Sequence, residues 1–199
     1  MNCIVRLSIL SIALVGLAVL AAETTRKWEG PWIGLGLGGQ LKTTIYFGPW
    51  KCSAELFSAC ERECAAKQHK LMGCIWIADM KFDYQGVGVV KQFGSRAAVN
   101  HCCCDYPTVS NTQEVRKAWN KARPGYRDEW ARRFGEWPKN GKDYWPGHHI
   151  FDLQHGGDPQ GDVFPLPEDV HKVVNNAYPQ CYSGKFGWNE VGPTLPYPE

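Results

Sequence analysis

Eight cysteines constrain this chain more than any other feature: Cys52, Cys60, Cys64, Cys74, Cys102, Cys103, Cys104 and Cys181. A ninth, Cys3, sits ahead of an apolar N-terminal run expected to be removed. An even count in an exported chain reads as a disulfide framework. A zinc cluster ranks lower, because the spacings lack paired C-x-x-C knuckles and export leads to an oxidising compartment. Seven of the eight precede Tyr106, and one follows far behind. Complete pairing therefore obliges Cys181 to bridge back to the first half, so that the two halves are stapled rather than strung on a free linker. Adjacent cysteines rarely join each other, because the small ring strains the bond. "HCCCDYP" is accordingly expected to reach three separate partners. Eight cysteines admit about 105 connectivities, and spacing alone does not choose among them.

The N-terminus, "MNCIVRLSILSIALVGLAVLAAE", carries Arg6, then an apolar run from Ile9 to Leu20, then small residues. That is the pattern of a secretory signal peptide over residues 1–22, with cleavage expected after Ala21 or Ala22. A membrane anchor is disfavoured, because the run is short for a bilayer span and ends in Ala-Ala. The expected location is secreted or periplasmic, with no stable membrane insertion once the signal is gone. What remains is long enough for one sizeable core or two small ones.

Along the first half, the glycines of "GPWIGLGLGGQLKTTIYFGPW" lack the strand, helix and later acid of a dinucleotide loop. They read as flexible backbone or a tight strand crossing. "CSAELFSACEREC" reads as a helix with Cys60 and Cys64 one turn apart on one face. "GCIWIADM" and "GVGVVKQFG" read as strands. No function is legible in this half. Near Ser110 the composition changes. "SNTQEVRKAWNKA" opens on a capping box, Ser110 with Gln113 or Asn111 with Glu114, and is expected to end at Pro124-Gly125. "YRDEWARRFGEW" then reads as a second short helix. From residue 116 to residue 142 there are nine basic residues against three acids, interleaved with Trp119, Trp130 and Trp137. Such a run suits either a solvated face or a polyanion held near a cation site. The three tryptophans and Trp145 read chiefly as packing anchors. The tail, rich in Pro, Gly and aromatics, reads as an irregular wrap pinned by Cys181.

Residues 145–172, "WPGHHIFDLQHGGDPQGDVFPLPEDVHK", hold four of the six histidines and five carboxylates, with no Lys or Arg before Lys172. "HHI" reads as the start of a short strand, whose successive side chains point to opposite faces. His148 and His149 therefore serve two sides of one site rather than one ion together. "QHGGDPQGD" is a loop, in which His155 reads as exposed or as a turn hydrogen-bonder. "VFPL" is a second strand. "PEDVHKVVNNAY" begins a helix at Pro167, with Glu168 and Asp169 in its first turn and with His171 and Asn175 on one face. Strand, loop, strand and helix make a compact frame for one divalent ion.

This order resembles the HNH nucleases of the ββα-metal group, in particular DNase bacteriocin domains and polymorphic toxin domains with a Gly-His-His signature. The match spans about residues 142–175: "GHHI", the "QHGG" turn, Asp162 at an Asn-type position, and His171 on the helix. The first half reads as a disulfide-held α+β module, and with the ββα-metal domain that the resemblance implies the expected fold class is α+β. A disulfide-rich N-terminal module (23–110) would precede a C-terminal ββα-metal, HNH-like domain with preceding helices (111–199). His148 and His171 would be metal ligands, with Asn175 where the bacteriocins place another histidine. His149 would be the general base. Asp162 would orient His149 and raise its pKa, or would itself be a ligand. Lys142 and Pro146 occupy the places of the family's Arg-Glu pair. The cofactor implied is one divalent ion, Mg²⁺ or Zn²⁺. Phosphate contacts are expected from Arg127, Arg132, Arg133 and Lys142.

The function so implied is an exported toxin-type endonuclease, metal-dependent and hydrolytic, acting on DNA in preference to RNA. An acidic immunity protein covering the basic face is a further implied partner. The rival from another class is a disulfide-stapled extracellular binding protein, whose histidines hold a structural metal or form a polar core.

Overall fold

The structure is a computed structural model describing residues 26–86, 96–109 and 112–192. The signal peptide, the capping box at Ser110 and Asn111, and nearly all of "GVGVVKQFG" lie outside the described residues.

The first half is an antiparallel sheet in the order β1 (Arg26–Glu29), β3 (Gln40–Lys51), β4 (Leu71–Gln85), β5 (Arg96–Cys104), with β2 (Ile33–Gly34) also paired to β3. The glycine-rich stretch is thus a short strand and a turn leading into a twelve-residue strand. Its β-branched and aromatic run, "TTIYF", decides that outcome over its glycines. The expected helix is present as α1 (Ala54–Ala66), and "GCIWIADM" lies inside β4.

Strand alternation sorts the cysteines. On β5, Cys102 and Cys104 point to one face and bond Cys60 and Cys64, one turn apart on α1. Cys103 points to the other face and bonds Cys181. Cys52–Cys74 completes the set. "HCCC" therefore does reach three partners, and Cys181 does bridge to the first half. Trp50 and Trp76 pack among the sulfurs on the α1 face. These four bridges are consistent with an oxidising compartment. No helix among the described residues is long and apolar enough to cross a membrane.

The opposite face of the sheet carries Ile45, Phe47, Ile75, Ile77, Val99 and Cys103. Onto it packs α3 (Glu168–Tyr182) with Val170, Val174, Ala177 and Cys181, joined by Leu166, Phe164, Trp130 and Trp137. One apolar core thus draws on both halves of the chain. Gly73 in β4 is a contact point: a β-carbon there would stand 2.8 Å from the Cys181 carbonyl oxygen and 2.9 Å from its sulfur. Only glycine lets the end of α3 lie this close to the strand.

Between β5 and α3 the chain first forms α2 (Thr112–Phe134). The expected break at Pro124-Gly125 does not occur; a single helix contains Pro124. Proline removes one N–H donor, but Trp119 before it packs on His149 and Tyr126, and Trp130 after it packs on Trp137 and Phe164. Tertiary anchors on both sides override the local preference. The helix stops at Gly135, which adopts φ 89° and donates to the Ala131 carbonyl. A two-residue hairpin follows, β6 (Lys139–Asn140) with β7 (Asp143–Tyr144). Then come β8 (Gly147–His149) and β9 (Val163–Pro165), antiparallel, with His148 opposite Phe164 and His149 opposite Val163. The expected strand, loop, strand and helix are all present, α3 starting directly after Pro167.

Candidate functional site

The hairpin β8–β9 enters the site through Gly147. A β-carbon at this position would meet Val163 Cγ1 at 2.6 Å and the Trp119 ring at 2.7 Å. The glycine ahead of the histidine pair therefore lets α2 close onto the hairpin. Alternation along β8 then sends the two imidazoles apart, as expected. His148 faces α3, where the Tyr178 hydroxyl hydrogen-bonds its Nε2. His149 faces α2 and the loop: its ring meets Trp119 edge-on at 4.7 Å, and its Nε2 is 3.5 Å from the Pro159 carbonyl oxygen.

On α3 a polar stripe recurs at helical spacing: His171, Asn175, Tyr178, Tyr182. The rings of His171 and His148 have centroids 5.5 Å apart. The Asn175 amide nitrogen stands 3.4 Å from His171 Nδ1. His148, His149, His171, Asn175 and Arg127 all line one cleft of about 870 Å³. The structure brings these five of the expected residues into one lining.

Four other expected residues are not in the cleft lining. Asp162 is exposed, and its main-chain carbonyl accepts from Ile150 N–H. The carboxylates whose charge reaches His149 are Asp152 and Asp158. Arg132 is exposed and paired with Glu129, and Arg133 lies over Phe134. Lys142 is exposed in the β6–β7 turn. In their place the cleft has Arg116, Arg123 and Lys172. Arg116, Trp119, Arg123 and Arg127 follow the three-to-four spacing of one helix face, a signal obscured when α2 is cut at Pro124. The Nε atoms of Arg123 and Arg127 are buried and have no hydrogen-bond partner among the described residues. Arg127 also stacks over Tyr144, with its guanidinium carbon 4.0 Å from the ring centre.

Behind the histidines lies a buried aromatic layer that sequence reasoning missed. His101 from β5 is fully buried and stacks on Tyr178 with centroids 4.3 Å apart. Its Nδ1 is 2.8 Å from the Ile150 carbonyl and its Nε2 is 2.9 Å from the Tyr182 hydroxyl. His155 stacks on Tyr182 at 3.6 Å, and its Nδ1 is 2.7 Å from Asp152 Oδ2. That pairing makes His155 a turn hydrogen-bonder rather than an exposed loop residue.

Burial is the first cause of the lowered pKa at His148, His149 and His171. Neighbouring imidazoles push the same way at His148 and His171, whereas the Pro159 carbonyl, Asp152 and Asp158 push back at His149. All three rings are accordingly neutral at pH 7, with lone pairs available. This reverses the sense expected from an Asp162–His149 pair.

The donor set fits a divalent ion by its chemistry. Two imidazoles sharing one tetrahedral ion place their ring centres roughly 5–5.5 Å apart, given a metal–nitrogen distance of ~2.0–2.1 Å. With Nε2 of His148 taken by Tyr178, Nδ1 is the nitrogen left for a cation. Nε2 would then carry the proton and donate to the phenol oxygen, the support a ligating imidazole ordinarily has. The third neighbour is an amide; a group of three or more His, Cys, Asp or Glu side chains able to hold an ion does not occur among the described residues. Compared with family models, curated proteins and solved structures, the chain finds no match in any of the three.

Proposed function

We propose that the chain is an exported, toxin-type endonuclease that hydrolyses phosphodiesters of nucleic acid, DNA before RNA. The observation carrying this reading is the pairing of a neutral His149 with a row of cations in one cleft. Arg116, Arg123 and Arg127 line it beside His149, and among the described residues no ion pair neutralises them; Lys172, also in the lining, is paired with Glu168, and Asp152 with His155. A phosphate backbone supplies the negative charge that such a row lacks.

The chemistry then divides among the residues. His149, neutral and largely buried but in the cleft lining, takes the proton from the attacking water, a role worth ~10²–10⁴-fold in rate. Trp119 on one side and the Pro159 carbonyl on the other hold its ring. Arg123 and Arg127 clamp the phosphate oxygens and offset the charge that builds on phosphorus. His148, His171 and the Asn175 amide are the residues that would hold a divalent cation, Mg²⁺ or Zn²⁺; when bound, it supplies Lewis-acid stabilisation of the phosphoryl and leaving oxygens. The apolar N-terminal run, read as a signal peptide, and the four disulfides support action outside the producing cytoplasm. A producing cell would then need an acidic immunity protein that covers the arginine row.

Purified protein incubated with supercoiled plasmid and Mg²⁺, Mn²⁺ or Zn²⁺ tests the reading. Nicking that EDTA stops, and that His149→Ala abolishes while circular dichroism stays native, is the expected result. Intact DNA and RNA with every cation, or an undiminished His149→Ala variant, would leave the extracellular binding protein as the better reading.

A further inference from the structure

The nuclease reading assigns work only to residues after position 111, yet two residues of the cleft lining, Tyr178 and Tyr182, rest on His101 of the disulfide-bound sheet. We propose that His101 is a positioning residue for the cleft, joining the hairpin that carries His148 and His149 to the helix that carries His171 and Asn175. The proposal rests on the nuclease reading and adds to it a residue from the half whose sequence shows no function.

Three contacts converge on this one ring. Its Nδ1 lies 2.8 Å from the carbonyl of Ile150, the residue immediately after His149. A carbonyl can only accept, so Nδ1 carries the proton and donates. Burial holds the His101 pKa down to about 4, so the ring is neutral and Nε2 is left as an acceptor. The Tyr182 hydroxyl, 2.9 Å away, therefore donates to it. The flat of the ring supports Tyr178 at 4.3 Å, and Tyr178 in turn hydrogen-bonds His148. The tautomer, both ring nitrogens and one ring face are thus committed to groups that hold the proposed base and the proposed ligands.

Position on the strand explains why the residue is at 101. His101 and Cys103 share the face of β5 that looks toward α3. Cys103 fixes the end of α3 covalently through Cys181. A single disulfide sets a distance without fixing the helix's rotation, which the apolar face of Val170, Val174 and Ala177 sets only coarsely. The hydrogen bond to Tyr182 and the stack on Tyr178 fix that rotation, and with it the direction of Asn175 and His171, one and two turns before Tyr178. An apolar side chain of similar volume would fill the space and supply neither bond.

The test uses the full chain with Tyr182→Phe, which removes one oxygen, and with His101→Asn and His101→Ala. Side-chain ¹⁵N spectra of the metal-free protein report the tautomers and surroundings of His148 and His149. Steady-state cleavage of a DNA oligonucleotide with Mg²⁺ reports kcat and KM. Tyr182→Phe is expected to displace the ring resonances of both histidines and to lower kcat by about 10–100-fold. KM should stay within roughly twofold, as for a group that acts on orientation rather than on substrate binding. His101→Asn, which can still donate to Ile150, should be milder than His101→Ala. Unchanged ring resonances and kcat in a folded Tyr182→Phe protein, with nothing altered but thermal stability, would reduce His101 to core packing. Were the wild-type protein to cleave nothing, the nuclease reading would fall, and the ring resonances would still decide the positioning role. Should the His101 variants not fold, Tyr182→Phe decides alone.

Discussion

An imidazole taken out of water gives up its proton first, and that rule sets the state of His101, His148, His149 and His171 together. It also couples the site to stability. His101 titrates near 6.5 when unfolded and near 4 when folded, so between these values the unfolded chain binds the extra proton. Its contribution is therefore complete above pH 6.5 and is lost as the pH falls toward 4. At ~1.4 kcal/mol per pH unit the loss is on the order of 3 kcal/mol. Glu29, which Lys27 and Lys42 hold down to about 2, is exposed and titrates below this window. Urea unfolding at pH 7.5 and 4.5 should show a lower midpoint at the acid value. A His101→Asn protein should show a smaller difference, and equal differences in the two proteins would refute the assignment. The pair His171/Asn175 was legible because helical spacing is a property of the sequence, whereas His148/His171 came only from the resemblance to HNH nucleases. The direction of Asp162 and the arrival of His101 were not legible, since each depends on how a distant segment packs.

At the scale of elements, α2 is the part that sequence reasoning divided and the structure rejoined. Proline and glycine are local signals, whereas Trp119 and Trp130 act through partners far along the chain. The error had a functional cost, because a continuous helix aligns Arg116, Arg123 and Arg127 on the cleft side and sends Arg132 and Arg133 elsewhere. This division is measurable. Arg123→Ala with Arg127→Ala, in a His149→Ala background to prevent cleavage, should weaken binding of a labelled DNA duplex. It should also flatten the dependence of log K on log salt by about one for each phosphate no longer neutralised. Arg132→Ala with Arg133→Ala should change both little. Fluorescence anisotropy across a salt series separates the outcomes, and equal effects from the two pairs would mean a diffuse basic surface rather than a lined cleft. By contrast α1, β4, β8, β9 and α3 were each legible, because their apolar period or capping residues needed no remote help.

For the molecule as a whole, Cys103–Cys181 is the bridge that spans the halves, closing a sequence separation of 78 residues. Removing a native disulfide from a small exported domain costs about 2–5 kcal/mol. Cys103→Ala with Cys181→Ala should show a loss in that range by denaturant unfolding. It should also lose more nicking activity than Cys60→Ala with Cys102→Ala, since α3 carries His171, Asn175 and Tyr178 whereas α1 carries no residue of the cleft. Equal activity losses from the two pairs would show that the bridges act only on overall stability.

The alternation along "HCCC" has a consequence for how the chain matures. Odd positions of β5 belong to α3 and even positions to α1, so a slip of a single residue in strand pairing would exchange every sulfur's destination at once. Oxidation before β4 and β5 find each other would lock in that exchange. Refolding of the reduced chain in a thiol redox buffer with an isomerase is therefore expected to give more of the native pattern than rapid oxidation without one, as peptide mapping of the bridges would check.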